Sequence, residues 1–343
     1  MNFGGSIRIN KCGVLILTIL LLLLFYYMSW NKNNKNSHFG FSKNPNEINL
    51  RKLLIGSIQA AITGGVQVKA VSNEHDLHTK SKGKTKEGAN DLITDADFKS
   101  HCVMFNGLRS IFPKLKIVSE EDSSNNEKCT DVKMYLDPTV LHESAVVPDE
   151  YVNIDDITVW IDPLDATQEY TEKLTEYVTT MVCIAVKGEP IIGVIHNPFT
   201  GKTTWAWTGK TMSPDLLQVK KTDEPVRNPI LIVSRSHTGK VKELGQIIFG
   251  EDTSIITAGG AGYKVLQLVD AKATAYIHTT NIKKWDLCAG NAILNSIGGK
   301  MTNLRNEKIT YGDSSLFVIE NGLLATTSAN NHDLYIKKIM IIG

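Results

Sequence analysis

Trp160 to Tyr170 reads WIDPLDATQEY, a strongly apolar, strand-like segment that ends on two aspartates three residues apart across a proline. Pro163 has no N–H to offer a neighbouring strand and restricts its own φ, so the chain turns out of the strand there. The turn leaves the Leu164 carbonyl able to face the same point as Asp162 and Asp165. Such a pair means one thing alone and another beside more carboxylates.

More carboxylates follow the same pattern. Asp91 and Asp97 flank the start of a helix expected over about 94–111, Glu120, Glu121 and Asp122 follow the apolar run LKIV, and Asp286 precedes LCAGNAILNSIGG. Each has a local explanation: Asp286 is a good N-cap for a helix ending at Gly298, Asp91 or Asp95 suits the cap of the earlier helix, and SEEDSS reads as a solvated turn. Together they sit at strand ends and helix starts, which converge at one edge of an α/β sheet. Two carboxylates about 4 Å apart at an effective dielectric of about 20 repel by about 4 kcal/mol, so a cluster needs cations or protons. Hard oxygen donors select magnesium over zinc, and no Cys or His spacing of the zinc kind is present.

The 343-residue chain is 42% hydrophobic and 21% charged, enough to bury a substantial core in one large domain or two close halves. A net charge of +1 gives no reason to expect a nucleic-acid polymer as partner. Cys12, Cys102, Cys129, Cys183 and Cys288 are widely scattered and read mainly as buried free thiols, with a Cys102–Cys129 disulfide as the alternative.

No charge falls between Lys11 and Lys32, and residues 12–30 would span about 28 Å as a helix, close to the hydrocarbon thickness of a bilayer. Tyr26, Tyr27 and Trp30 suit a headgroup belt, and bulky residues after the apolar run offer no signal-peptidase site. An uncleaved anchor is expected, followed by an Asn/Lys-rich stem over 31–46. Arg8 and Lys11 before the span are matched by Lys32, Lys35 and Lys43 after it, so charge alone leaves the orientation open.

From about residue 47 the pattern is α/β. Helical periodicity over about 48–71 places Leu50, Leu53, Leu54, Ile58 and Ala61 on one face, which serves either the core or a homodimer. A polar glycine-containing loop, SKGKTKEGAND (81–91), precedes the helix of 94–111. Strands are expected over 156–161, 178–186, 190–195, 203–207, 230–233 and 273–277, with helices near 238–248, 261–270, 286–297 and 330–340. TDEPVRNP (222–229) marks either a junction between halves of about 47–225 and 226–343 or a surface loop. Asp137-Pro138 echoes the 162–165 motif but has Val140 in place of the second aspartate, and is a decoy. GGAGYK (259–264) is a glycine turn entering a helix, whose free N–H groups suit an anion, with Lys264 nearby, or which is plain turn chemistry. SRSH (234–237) supplies hydroxyl, guanidinium and imidazole groups, or a polar loop and cap.

DLITDAD (91–97), VSEED (118–122), WIDPLDAT (160–167) and WDLCAGNAIL (285–294) together resemble, in order and spacing, the lithium-sensitive, magnesium-dependent inositol monophosphatase superfamily, from about residue 47 to the end of the chain. The resemblance implies a layered α-β-α-β-α sugar-phosphatase fold behind the N-terminal transmembrane helix. It implies that Glu120, Asp162, the Leu164 carbonyl, Asp165 and Asp286 ligate two or three Mg2+ ions, and that Asp97 and Thr167 orient and deprotonate the attacking water. Thr167, Ser234, His237, Gly260 and Lys264 fall on its substrate side. Ala166 replaces the usual glycine of D-G-T. With SKGKTKEGAND, YVTTMVC and IKKWD, it is similar to the Golgi nucleotidase branch, which implies a cytosolic tail of residues 1–11, a type II anchor and a lumenal domain of 47–343. The implied reaction is hydrolysis of adenosine 3',5'-bisphosphate to AMP and phosphate, a small-molecule nucleotide chemistry that supports sulfation. An inositol phosphate phosphatase and an inactive membrane-tethered scaffold are the alternatives.

Overall fold

Asn49 ends β1 (Glu47–Asn49) and caps α1 (Leu50–Val71), its side-chain oxygen accepting from Lys52 N at 3.2 Å. The computed structural model describes residues 21–22, 44–84, 90–121, 129, 132–141, 146–219, 226–235 and 238–342. Residues 46–343 form one compact unit. The expected membrane anchor lies outside the described residues except for Leu21 and Leu22, which are helical and exposed.

After α1 come β2 (Lys80–Lys84), β3 (Asn90–Ile93), α2 (Asp95–Ile111), β4 (Lys116–Ser119), β5 (Tyr151–Asn153), β6 (Ile157–Asp165) and the short α3 (Thr167–Thr171). The meander β7 (Thr179–Val186), β8 (Glu189–His196), β9 (Thr203–Trp207) and β10 (Thr211–Met212) follows. The C-terminal half adds β11 (Leu231–Ser234), α4 (Thr238–Phe249), β12 (Ile255–Ala258), α5 (Ala261–Val269), β13 (Ala275–His278), β14 (Ile282–Lys283), α6 (Lys284–Ile297), β15 (Lys300–Thr302), β16 (Val318–Ile319), β17 (Leu323–Thr326) and α7 (Ala329–Ile342).

Two sheets organise these elements. One has the order β10-β9-β8-β7-β6-β4, antiparallel except for β4 beside β6; the other has the order β12-β11-β13-β17-β15, with its first three strands parallel. The helices α1 and α2 pack on the outer face of the first sheet, α5 and α6 lie between the sheets, and α4 and α7 cover the second. That is the expected five-layer α-β-α-β-α order. The main core fills the space between the sheets, with Trp160, Met181, Leu268, Tyr276, Trp285 and Ile293 among its buried members. Gly193 on β8 lets α6 lie flat on the sheet, because a Cβ there would run into the Ala289 carbonyl.

Three sequence expectations change. SKGKTKEGAND is no plain loop: Lys80–Lys84 and Asn90–Ile93 pair as an antiparallel hairpin with a bulge between Ser81 and Gly83. The face of α1 carrying Leu50, Leu53, Leu54, Ile58 and Ala61 is buried within this chain's own fold. By length and composition α1 would also pass for a membrane span, yet its burial against α2 and β7 makes it a core helix. The thiol expectation is overturned. Cys102 bonds Cys129, and Cys183 on β7 bonds Cys288 on α6, with Cα atoms 5.4 and 5.6 Å apart, inside the range a disulfide spans. The stretch 222–229 separates the strands of the first sheet from those of the second, and residues 220–225 lie outside the described residues.

Candidate active site

All nine residues of β6 are buried, so the strand carries its two aspartates into the interior. The β6–β7 register breaks between Asp162 and Asp165, where Pro163 lacks the N–H the ladder needs. Asp162 is 1% exposed; its Oδ1 accepts from Leu164 N at 3.2 Å and its Oδ2 has no hydrogen-bond partner among the described residues. Glu120 is drawn alongside, since Glu120 N donates to the Ile161 carbonyl at 3.1 Å and prolongs the β4–β6 pairing by one step. Ala166 then takes a left-handed conformation, φ 73° and ψ 45°, which explains why glycine is at home in this position and sets Thr167 at the start of α3.

Helix starts supply the other acids. Asp97 is the third residue of α2, whose N-cap is Thr94 and neither Asp91 nor Asp95. Asp97 Oδ2 accepts from Thr94 N and Thr94 Oγ1 at 2.7 and 2.6 Å, and its Oδ1 lies 2.9 Å from Thr167 Oγ1. Thr167 Oγ1 also stands 3.2 Å from the Leu164 carbonyl; with one proton it donates to one of the two at a time. Asp286 is likewise third in α6, after an N-cap at Lys283, so the N-cap expectation for Asp286 is corrected by three positions. Its Oδ2 accepts from Lys283 N at 3.1 Å, half of a capping box, because a lysine side chain has no acceptor to return.

The amides of GGAGYK hold an anion, and that anion is Asp165. Ala261 N donates to Asp165 Oδ1 at 3.0 Å and Gly262 N to Oδ2 at 2.8 Å, with Thr179 Oγ1 at 3.1 Å from the same oxygen. A side chain on Gly260 would strike the Tyr177 carbonyl and Asp165, so this seat requires glycine.

Burial decides the electrostatics. It pushes the Asp97 carboxyl up to about 7 against the pull of the Thr94 hydrogen bond, with Glu120 and Glu121 adding repulsion. Burial and Glu120 push Asp286 up to about 8, and burial with Glu120, Asp165 and Asp286 lifts Asp162 well above the carboxylate range. Lysines absent from the sequence expectations partly offset this charge. Lys82 on the hairpin lies 3.0 Å from Glu120 Oε1 and 3.0 Å from Glu121 Oε1, and Lys283 lies 3.3 Å from Asp91 Oδ2. Although burial opposes its charge, Glu120 and Glu121 hold the Lys82 ammonium above its ordinary value. Lys264 is 3% exposed, and burial lowers it to about 8 despite Asp165, Glu169 and Asp286.

A cavity of about 270 Å³ joins these groups. Glu120, Asp162, Leu164, Asp165, Thr167 and Asp286 line it, as do Ser234, Gly260 and Lys264. Asp97 stands behind Thr167, and His237 lies outside the described residues. Asp137, the decoy, caps a surface turn through Thr139. Sequence reading also missed Tyr276 and Glu169 on the cavity wall; Tyr276 belongs to no motif, and Glu169 lies in the opening stretch WIDPLDATQEY but was given no role there.

Among the described residues no three His, Cys, Asp or Glu side chains already surround one point as an ion requires. Asp165 is turned to its amides and Glu120 to Lys82. The donors nevertheless suit a divalent hard cation: they are oxygens throughout, they repel one another, and the buried Asp162 Oδ2 has no hydrogen-bond partner among the described residues.

A model of the inositol monophosphatase family matches residues 49–342. A Drosophila melanogaster protein provisionally named inositol monophosphatase 3 is 53% identical over 98% of this chain and 95% of its own length. The Bos taurus protein named Golgi-resident adenosine 3',5'-bisphosphate 3'-phosphatase is 48% identical over 85% of this chain and 80% of its own. Among solved structures, the inositol monophosphatase of Anabaena superposes with a TM-score of 0.60 at 18% identity, covering 85% of this chain and 96% of that one.

Proposed function

Because this chain belongs to the inositol monophosphatase family, we propose that it is a magnesium-dependent, membrane-anchored phosphatase hydrolysing adenosine 3',5'-bisphosphate to AMP and phosphate in the Golgi lumen. The observation that carries the reading is a cavity in which mutually repelling acids, one of them with an unpartnered oxygen, meet the buried Lys264. Magnesium held by Glu120, Asp162, the Leu164 carbonyl, Asp165 and Asp286 would neutralise the phosphate and lower the pKa of a water. Thr167 Oγ1 orients that water. As the water's proton passes to Thr167 Oγ1, the threonine proton passes to Asp97 Oδ1, a carboxyl poised near neutrality. Ser234, Gly260 and Lys264, with His237, take the nucleotide side, and Lys264 supplies a cation there. Lithium would inhibit by occupying one magnesium position.

Two disulfides support the lumenal side, since such bonds persist in oxidising compartments. There the reaction would clear the by-product of sulfotransferases and so support glycosaminoglycan sulfation. An inositol phosphate phosphatase is the second reading, favoured by the name of the Drosophila relative. Phosphate release by the full-length chain from adenosine 3',5'-bisphosphate and from inositol 1-phosphate decides between them. A preference for the bisphosphate that requires Mg2+ is expected, and a preference for the inositol ester would reject the proposal.

A further inference from the structure

Four tyrosines are almost wholly buried, and three of them find hydrogen-bond partners: Tyr170 Oη donates to the Val68 carbonyl at 2.9 Å, Tyr335 Oη to the Val226 carbonyl at 2.7 Å, and Tyr311 Oη accepts from Asn291 Nδ2 at 3.0 Å. Tyr276, 1% exposed, is the exception. Its hydroxyl has no hydrogen-bond partner among the described residues, and it is the one of the four that lines the cavity. The other three phenols are satisfied by protein groups, whereas the Tyr276 hydroxyl is open to the cavity and placed to meet a ligand there.

The ring is fixed firmly. It belongs to the core between the sheets, its residue pairs with Ile232 on β11 and Ala325 on β17, and Lys264 Nζ stands 5.1 Å from the ring centroid. Burial, with Asp165 and Asp286 nearby, keeps the phenol neutral. Tyr276 comes from the second sheet, whereas Glu120, Asp162 and Asp165 come from the first. A neutral hydroxyl that both donates and accepts matches an alcohol better than a phosphate dianion, which calls for cations.

We propose that Tyr276 Oη binds a hydroxyl or ring oxygen of the cyclic polyol bearing the scissile phosphate, and so selects sugar-alcohol phosphates over simple esters. The proposal rests on the phosphatase reading but not on which polyol is the substrate. Its test is Tyr276→Phe, which keeps the ring and removes one oxygen, assayed in the full-length chain beside wild type. Three esters are compared: adenosine 3',5'-bisphosphate, inositol 1-phosphate and p-nitrophenyl phosphate. For whichever polyol phosphate wild type cleaves better, kcat/KM should fall about tenfold, as losing one hydrogen bond implies, while p-nitrophenyl phosphate hydrolysis stays within about twofold. The Mg2+ concentration that half-stabilises the fold against heat should not move. An equal fall on all esters, or no fall on any, overturns the assignment. Wild type preferring inositol 1-phosphate would reject the nucleotide proposal and leave this one standing or falling on the same ratio. Hydrolysis of none of the three overturns both.

Discussion

Asp97 and Asp286 occupy the same place in two helices, third in α2 and third in α6, and each accepts a hydrogen bond from the backbone N–H of its own N-cap. What surrounds them differs. Thr94 supplies a hydroxyl to Asp97 and Thr167 stands at its other oxygen, so both carboxylate oxygens are engaged. Lys283 gives Asp286 one hydrogen bond, from its amide, while its ammonium acts on the carboxyl only through charge, and the second oxygen of Asp286 has no hydrogen-bond partner among the described residues. On the proposed function, one local device would yield two parts: a carboxyl that takes the proton of a hydroxyl and a carboxylate that binds a cation.

The largest effects should split along that line. Asp286→Asn and Asp97→Asn are each expected to lower kcat by about 100-fold or more, as loss of a metal ligand or a general base does. Only Asp286→Asn should also raise the Mg2+ concentration that half-stabilises the fold in a thermal melt. Equal metal dependence in the two variants would break the comparison.

Next comes the bond that fixes α6 to the first sheet. Replacing Cys183 and Cys288 together by alanine opens a loop with a sequence separation of 105. By urea denaturation it should cost about 3–5 kcal/mol. Reduction at the more exposed Cys102–Cys129 bridge should cost less, because the loop it closes is shorter.

A pH effect of intermediate size separates the two acids again. Folded values of about 7 for Asp97 and about 8 for Asp286 lie above the ordinary 3.8, so the folded chain holds protons that the unfolded chain releases. Their contribution is fully present below the unfolded value and is lost as pH rises through the folded one. The metal-free protein should therefore lose stability between pH of about 4 and about 8. Denaturant melts across that window should flatten in either Asn variant, the Asp286 variant keeping its effect to higher pH. The smallest expected change is Ala166→Gly, which relieves a left-handed alanine and should raise stability by less than about 1 kcal/mol, read from the melting temperature.

Much of this was legible in the chain. Helical periodicity placed α1 over about 48–71 against Leu50–Val71, and α2 over about 94–111 against Asp95–Ile111, because apolar spacing reports which face meets the core. The strands of TVWI, YVTTMVC and ILIV were legible for the same reason, but β6 does not leave the sheet at Pro163 as expected: it runs on to Asp165 across a break in register. Long-range features were not. The hairpin that carries Lys82 has no apolar alternation, since all five residues of β2 are exposed. Lone lysines carry no signal of the carboxylates they will meet. The Asp165 seat on Ala261 and Gly262 joins residues nearly a hundred positions apart, and nothing in GGAGYK says which anion it will receive. Cys183 and Cys288 are similarly distant, and no spacing pattern announces them.

The central proposal is that the buried acids would hold magnesium, Asp162 Oδ2 among its ligands. Thermal melts of wild type and Asp162→Asn, with and without Mg2+, test it most directly. Wild type should gain stability with Mg2+, whereas Asp162→Asn should melt at or above wild type without metal, because one source of repulsion is gone, and should ignore added Mg2+. A wild type indifferent to Mg2+, or an Asp162→Asn chain that fails to fold, would contradict the account.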